Sequence, residues 1–198
     1  MEIFLVRHLE IPSYNQGLCV GQTNVPLTQN AQAQLEPFAE ELQKLKPDVI
    51  LSSDLDRCMQ FAEKLSQKIQ LPIEVSPAWR EVNFGLWENR SWDELQKNDP
   101  VRVQKWFNDY INEAPPEGES FTMFYKRICR ALTSLPKCKE NRTIVFTHSG
   151  AIRASICFAL GMKLEDAFSL EIGYGCIVGL RYINKKWLLF QLRNTCEG

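Results

Sequence analysis

Ile3-Phe4-Leu5-Val6-Arg7-His8 is the stretch that decides the fold. A short, unbroken apolar run with β-branched and aromatic members reads as a strand buried on both faces, the strand type of a parallel, helix-covered sheet. The Arg7-His8 pair that follows at once then stands at the strand's carboxyl end, where open α/β sheets bind their ligands. The pattern returns as Thr143-Ile144-Val145-Phe146-Thr147-His148-Ser149-Gly150, an apolar strand that ends in a histidine and runs into a helix. The chain has two histidines, and both are in these stretches.

Working outward, residues 9–28 form a loop with Pro12, Gly17, Gly21 and Pro26. A loop leaving a strand's carboxyl end is a common pocket wall. Leu35, Phe38, Ala39, Leu42 and Leu45 predict a helix over 31–46, with Pro37 in its first turns or kinking it. Val49-Ile50-Leu51 is the second strand, and Ser52-Ser53-Asp54 supplies N-cap residues for the next helix. That helix carries Cys58, Phe61, Ala62, Leu65 and Ile69 on one face. Arg57 lies in its first turn, where a cation opposes the helix dipole and gains from a nearby anion.

Residues 72–75 make a third strand, after which the alternation of strand and helix breaks. Residues 81–92 are a loop with two tryptophans, and 93–136 read as two or three helices interrupted by Pro115-Pro116-Glu117-Gly118. Segment 81–136 is therefore expected to be a helical cap inserted into a single domain spanning 1–198. Trp87, Trp92 and Trp106 are expected as core or pocket wall. A helix over 149–160 stops at Gly161, and strands over 176–182 and 187–192 form a hairpin turning at Asn184-Lys185. The predicted fold is α/β: a three-layer α/β/α sandwich with a mostly parallel sheet, an antiparallel edge and an inserted helical cap.

Composition narrows the function. With 23 Lys and Arg against 24 Asp and Glu, the net charge of -1 argues against broad, charge-driven binding of nucleic acid, so an anionic ligand is expected to be small. The start lacks a basic region with a long apolar core, and no run approaches the roughly 20 apolar residues of a membrane helix. A cytoplasmic protein without a membrane partner is expected. The seven cysteines (Cys19, Cys58, Cys129, Cys138, Cys157, Cys176, Cys196) form no CxxC pair and read as free thiols in a reducing compartment. With so few histidines and no clustered thiols, no metal site and no cofactor are expected. Oligomeric state is left open.

This strand order delivers Arg7, His8, Arg57 and His148 to one sheet edge, beside the helix start at Ser149-Gly150. Two guanidiniums, two imidazoles and a helix N-terminus make a site for a dianionic tetrahedral group, above all phosphate. A small phosphorylated metabolite is the expected partner. A histidine can also act as the nucleophile, provided its other ring nitrogen is held by a hydrogen bond. The departing alkoxide needs a proton, which a carboxylic acid can give and later take from water. Glu81, in a loop with glycine and aromatic neighbours, is the first choice, with Glu10 and Glu119 behind it. Gln22, Thr23 and Ser149 are further expected pocket contacts. The residues alone leave open which histidine attacks.

Leu5-Val6-Arg7-His8-Leu9-Glu10 resembles the Arg-His-Gly-Glu signature of the histidine phosphatase superfamily. The likeness continues through Gly21, Pro26-Leu27-Thr28, Ser52-Ser53-Asp54-Leu55-Asp56-Arg57, Glu81, Phe84-Gly85-Leu86-Trp87-Glu88, Gly118-Glu119-Ser120 and Thr147-His148-Ser149-Gly150. The resemblance implies His8 as nucleophile, Glu81 as proton donor, and Arg7, Arg57 and His148 as the phosphate pocket, with no metal. Leu9 stands where the signature has glycine, Ile11 where it commonly has threonine, and Tyr14, beside Asn15, where asparagine is usual. A bulky side chain at a glycine position forbids torsions that glycine adopts easily, so Leu9 is expected to reshape the pocket floor. That opens a non-catalytic, phosphate-binding alternative.

Within the superfamily the chain most resembles the alpha-ribazole phosphatases of cobalamin nucleotide-loop assembly, in length, in the Phe84 to Glu88 string, in Pro115-Pro116-Glu117-Gly118-Glu119 and in Tyr174-Gly175-Cys176. This likeness implies alpha-ribazole 5'-phosphate as substrate. The alternatives are a different small sugar or nucleotide phosphate, and a phosphoglycerate mutase-like activity, which usually comes with a longer insert.

Overall fold

In chain order the elements are β1 (Glu2–Arg7), α1 (Gln29–Gln43), β2 (Val49–Ser52), α2 (Asp56–Ile69), β3 (Ile73–Val75), α3 (Trp92–Asn98), α4 (Pro100–Asn108), α5 (Phe121–Ser134), β4 (Arg142–Thr147), α6 (Ser149–Leu160), β5 (Ile177–Ile183) and β6 (Lys186–Arg193). Short 3-10 turns lie at Pro77–Trp79, Gly85–Trp87 and Leu164–Ser169. The computed structural model describes residues 1–12, 17–135 and 141–194; Tyr14, Asn15, Pro136, Cys138 and Cys196 lie outside the described residues.

Pleating divides each central strand between two cores. Ile3 and Leu5 of β1, Val145 of β4 and Val178 and Leu180 of β5 join one buried cluster with Phe124, Ile128 and Leu132 of α5 and Ile152 and Ile156 of α6. Phe4 and Val6, Ile144 and Phe146, and Ile177 join the other, with Leu35, Phe38 and Leu42 of α1 and Phe61 and Leu65 of α2. A sheet apolar on both faces needs a helical layer on each, which gives the α/β/α sandwich. The six strands run in the order β3-β2-β4-β1-β5-β6. Pairs β3-β2, β2-β4 and β4-β1 are parallel, whereas β5 is antiparallel to both β1 and β6. The hairpin turns through Asn184 and Lys185 at φ of 50° and 61°, the left-handed pair that a two-residue turn between twisted strands needs.

Local signals shift where tertiary contacts outbid them. Helix α1 begins at Gln29, capped by the Thr28 side chain on the Ala31 N–H, so Pro37 lies well inside it and cannot donate to the Ala33 carbonyl. Helix α2 begins at Asp56 behind Leu55, which makes no side-chain cap bond. The expected cap residues Ser53 and Asp54 are engaged elsewhere, Ser53 with His148 and Asp54 with Arg80.

Between β3 and β4, Trp87, Leu95 and Val103 bury themselves with Cys19, and Phe84, Trp92 and Trp106 pack against them. The tryptophans expected as core or pocket wall thus build a separate aromatic core. It ties α3 and α4 to the loop after β1, where Cys19 N–H donates to the Arg90 carbonyl and Asn89 N–H to that of Cys19, both at 2.9 Å. Helix α5 belongs instead to the sandwich layer with α6. Cys19, Cys58, Cys129, Cys157 and Cys176 are free thiols. Among the described residues no helix is long and apolar enough to cross a membrane.

Candidate active site

Parallel register brings the histidines together. Arg7 of β1 lies opposite Thr147 of β4, so the next residues, His8 and His148, leave the sheet side by side. The His8 N–H donates to the Thr147 carbonyl at 3.1 Å, and the two imidazole centroids are 5.2 Å apart, edge to face.

Their nitrogens are set differently. His8 Nδ1 lies 2.7 Å from the Leu9 carbonyl oxygen. A carbonyl only accepts, so Nδ1 carries the proton and Nε2 the lone pair. Burial, then Arg57, then Arg7, hold the His8 pKa well below 6.5, against the opposing pull of the Leu9 hydrogen bond. His8 is therefore a neutral imidazole at pH 7, and its Cε1–H NMR signal should show no inflection between about pH 6 and 7, where a free histidine titrates. A normal midpoint there would contradict the charge balance of the site. Because the folded pKa is the lower one, the unfolded chain takes up the proton first. This contribution costs no stability above 6.5 and increasingly destabilises the fold as pH drops from there towards the folded pKa.

Arg57 is almost fully buried, at 1% exposure, and explains its place in the first turn of α2. Its Nη2 donates to the Gly21 carbonyl at 2.6 Å and Nη1 to that of Thr23 at 2.8 Å. Nε donates to His148 Nδ1 at 3.3 Å, which makes His148 Nε2 the protonated nitrogen, donating to Ser53 Oγ at 3.0 Å. Burial, then Arg57, His8 and Arg7, hold His148 well below 6.5. Expected from sequence beside the phosphate, His148 stands fully buried behind Arg57, with both ring nitrogens engaged by protein. Arg7 donates to the Ile172 carbonyl at 2.6 Å and stacks over Tyr174, 3.9 Å from the ring centroid.

Glu81 takes its place from the start of α6. Its Oε2 accepts from the Gly150 N–H at 3.0 Å and Ser149 Oγ at 3.4 Å, and Oε1 accepts from the Val82 N–H at 3.0 Å. A carboxylate suits a helix N-terminus, and glycine at residue 150 leaves room for it, since a Cβ there would collide with Glu81 Oε1 and push the carboxylate from this place. The Glu81 carbonyl accepts from Arg127 and Gln22. Glu119 pairs with Arg127 and accepts from the Asn83 N–H, and Glu10 accepts from Thr28 Oγ1, so both acids are committed to scaffold contacts.

A cavity of about 190 Å³ opens over these groups. Arg7, His8, Arg57, Glu81 and Ser149 form its polar wall, and Ile11, Leu18, Val20 and Tyr174 the rest. Gln22 and Thr23 do not line it. They are held by Glu88, whose carboxylate accepts from the N–H groups of Gly21, Gln22, Thr23 and Phe84 and from Thr23 Oγ1. Burial pushes Glu88 up, but the bonds from Thr23, Gln22, Phe84 and Gly21 outweigh it and hold the carboxyl below its usual range. Glu88 thereby shapes the loop whose Gly21 and Thr23 carbonyls grip Arg57. Sequence reasoning missed this task for Glu88, and missed Tyr174 as pocket wall, although both lie in strings that carry the family resemblance. A larger cavity, about 930 Å³, lies at the opposite strand ends, lined by Glu2, Lys46, Asp48, Arg142 and Arg181 among others, and contains none of these groups.

Leu9 does not reshape the pocket floor. It keeps a negative φ, so glycine's torsional freedom is not used, and its side chain is buried among the α1 and α2 contacts rather than in the cavity.

The chain matches the family model of the histidine phosphatase superfamily (branch 1) over residues 3–195. It is 29% identical over 196 residues to an adenosylcobalamin/alpha-ribazole phosphatase of Escherichia coli (strain K12), covering 98% of this chain and 96% of that protein. Its fold superposes on the alpha-ribazole phosphatase from Shigella flexneri with a TM-score of 0.91 at 27% identity, covering 100% of this chain and 98% of that one. A mycobacterial glucosyl-3-phosphoglycerate phosphatase superposes with a TM-score of 0.80 at 25% identity, covering 95% and 96% of the two chains. With two arginines, a tautomer-locked histidine and a carboxylate around one cavity, and a family match along nearly its whole length, this chain belongs to the histidine phosphatase superfamily, branch 1.

Proposed function

We propose that the protein is a phosphomonoesterase that works through a phosphohistidine at His8, with alpha-ribazole 5'-phosphate as its substrate. The observation that carries this is the His8 ring, neutral, with Nδ1 held by Leu9 and Nε2 left with the lone pair, beside Arg7, Arg57 and Glu81 in one cavity. Arg7 and Arg57 hold the phosphoryl oxygens, and His148 completes the phosphate pocket by fixing Arg57. The Nε2 lone pair attacks phosphorus in line. As the P–N bond forms, the ester P–O bond breaks and its electron pair leaves on the alcohol oxygen, which takes the proton of the Glu81 carboxyl. Water then attacks phosphorus, Glu81 takes a water proton, and the P–N pair returns to Nε2, releasing inorganic phosphate. The guanidiniums supply the charge stabilisation that a metal gives elsewhere, so turnover is expected to persist in chelator.

The substrate assignment rests on the named relatives and on the largely non-polar part of the wall, Ile11, Leu18, Val20 and Tyr174, which suits the aromatic base of a nucleoside leaving group. In the same reading residues 1–198 are one cytoplasmic domain, and the inserted segment about 81–136 caps the pocket, with α3 and α4 its helical part. The test is a panel of phosphomonoesters compared by kcat/KM. Alpha-ribazole 5'-phosphate should exceed 3-phosphoglycerate and p-nitrophenyl phosphate; preference for a phosphoglycerate ester would overturn the substrate assignment. A second reading, a phosphatase of other small sugar phosphates, draws on the likeness to the glucosyl-3-phosphoglycerate phosphatase and predicts that preference. Leu9 outside the cavity speaks against the non-catalytic alternative, which phosphate binding without turnover in the wild type would favour.

Glu81→Gln separates proton donation from binding. Alkyl phosphates, whose alkoxides leave poorly, should lose about 10²-fold or more, the usual worth of a general acid. p-Nitrophenyl phosphate, whose leaving group needs little protonation, should lose much less. Equal losses on both would remove Glu81 from that role.

A further inference from the structure

We propose that Leu9 is a positioning residue: the burial of its side chain fixes the peptide whose carbonyl selects the attacking tautomer of His8. The Leu9 side chain is 2% exposed and shares a buried cluster with Ile11, Leu27, Leu35 and Phe146. Its carbonyl oxygen, 2.7 Å from His8 Nδ1, is the acceptor that keeps the proton off Nε2. The backbone hydrogen bonds on either side belong to its neighbours. The His8 N–H donates to Thr147 and the His8 carbonyl accepts from Gly175, at 3.1 and 3.3 Å, and the Glu10 carbonyl accepts from Thr28 at 3.0 Å. What sets the torsions between those anchors is the packing of the leucine. Glycine at this position would leave that peptide far freer to turn.

Restoring the signature glycine should therefore harm the enzyme. In Leu9→Gly the acceptor moves, the Nε2–H tautomer of His8 becomes populated, and kcat falls by about 10²-fold, the scale of a misplacement near 1 Å. Inorganic phosphate should inhibit as before, because Arg7 and Arg57 are untouched. Leu9→Met, which keeps the volume, should retain both tautomer and rate. The imidazole ¹⁵N shifts of His8 read the tautomer directly, at a temperature where melting curves show each variant folded. Should Leu9→Gly not fold, Leu9→Ala, with a smaller defect, takes its place and should show a partial shift of the same sign.

The inference rests on the reading of His8 as nucleophile for its kinetic part only. Loss of the Nδ1–H tautomer in Leu9→Gly with no turnover in the wild type would overturn the phosphatase reading and keep the positioning. Full activity and an unchanged tautomer in Leu9→Gly would overturn the positioning and keep the phosphatase. A wild-type His8 found as the Nε2–H tautomer would overturn it outright.

Discussion

His8→Ala is expected to abolish turnover of p-nitrophenyl phosphate and of alpha-ribazole 5'-phosphate alike, by roughly 10⁴-fold or more, the scale on which an enzyme loses its nucleophile. The loss should fall on kcat. Both backbone bonds of residue 8, to Thr147 and from Gly175, are independent of its side chain, so the strand end should stay in place. Arg7 and Arg57 also stay, each held by protein carbonyls that do not involve His8. Inorganic phosphate should accordingly still bind the variant. The complementary measurement is a rapid acid-free quench of the wild type with substrate, followed by mass spectrometry: one phosphoryl group should appear on the peptide bearing His8 and be absent from the variant. Label recovered on His148, or activity near wild type in His8→Ala, would reject His8 as nucleophile. A label on His148 would also conflict with its geometry, since Arg57 and Ser53 already engage its two ring nitrogens.

Arg57→Ala should cost about 10²–10³-fold in kcat/KM, as removal of one preorganised donor commonly does. It should also destabilise the fold far more than a surface arginine would. The guanidinium is the donor for the carbonyls of Gly21 and Thr23 and for His148 Nδ1, and each such group left buried and unpaired costs about 1–3 kcal/mol. Water entering the vacated space would recover part of that. Lysine is a poor replacement: a point charge cannot span two carbonyls and an imidazole as a planar fork does. Kinetics with p-nitrophenyl phosphate and a urea melt on the same samples separate the two effects. A stable, near-normal Arg57→Ala would remove Arg57 from the phosphate pocket; an unstable variant with normal kinetics would make it a scaffold residue alone.

Much of the fold was legible because it follows from short periods. The unbroken apolar runs at β1 and β4 mark strands buried on both faces, the stripes of α2 and α6 each name their buried face, and Asn184-Lys185 names its turn. Position at a strand end made Arg7, His8 and His148 candidates, and an arginine opposing a helix dipole marked Arg57. Where reading by local rule failed, a long-range contact had taken the group. Ser53 and Asp54 are good caps by composition, yet His148 and Arg80 claim them. Gln22 and Thr23 look like pocket residues in a pocket loop, yet Glu88 holds both, which leaves the Thr23 carbonyl on Arg57 and the Gln22 amide on the Glu81 carbonyl. The tryptophans of the insert, expected as core or pocket wall, do form a core, but one of their own that closes on Cys19.

By itself, then, the sequence determined a two-faced sheet with helices on both sides, and a cluster of two arginines and two histidines at the carboxyl ends of its strands. Only tertiary structure decided which imidazole keeps a free nitrogen, what holds the first-choice acid Glu81 at the cavity, and where the Leu9 side chain is buried. The physical reason is separation along the chain. Arg57 meets His148 across 91 residues and Ser149 meets Glu81 across 68, through register and crossover, and neither leaves a period in the sequence. A periodic pattern states which face is buried; it carries no record of which carbonyl lies 2.7 Å from a ring nitrogen.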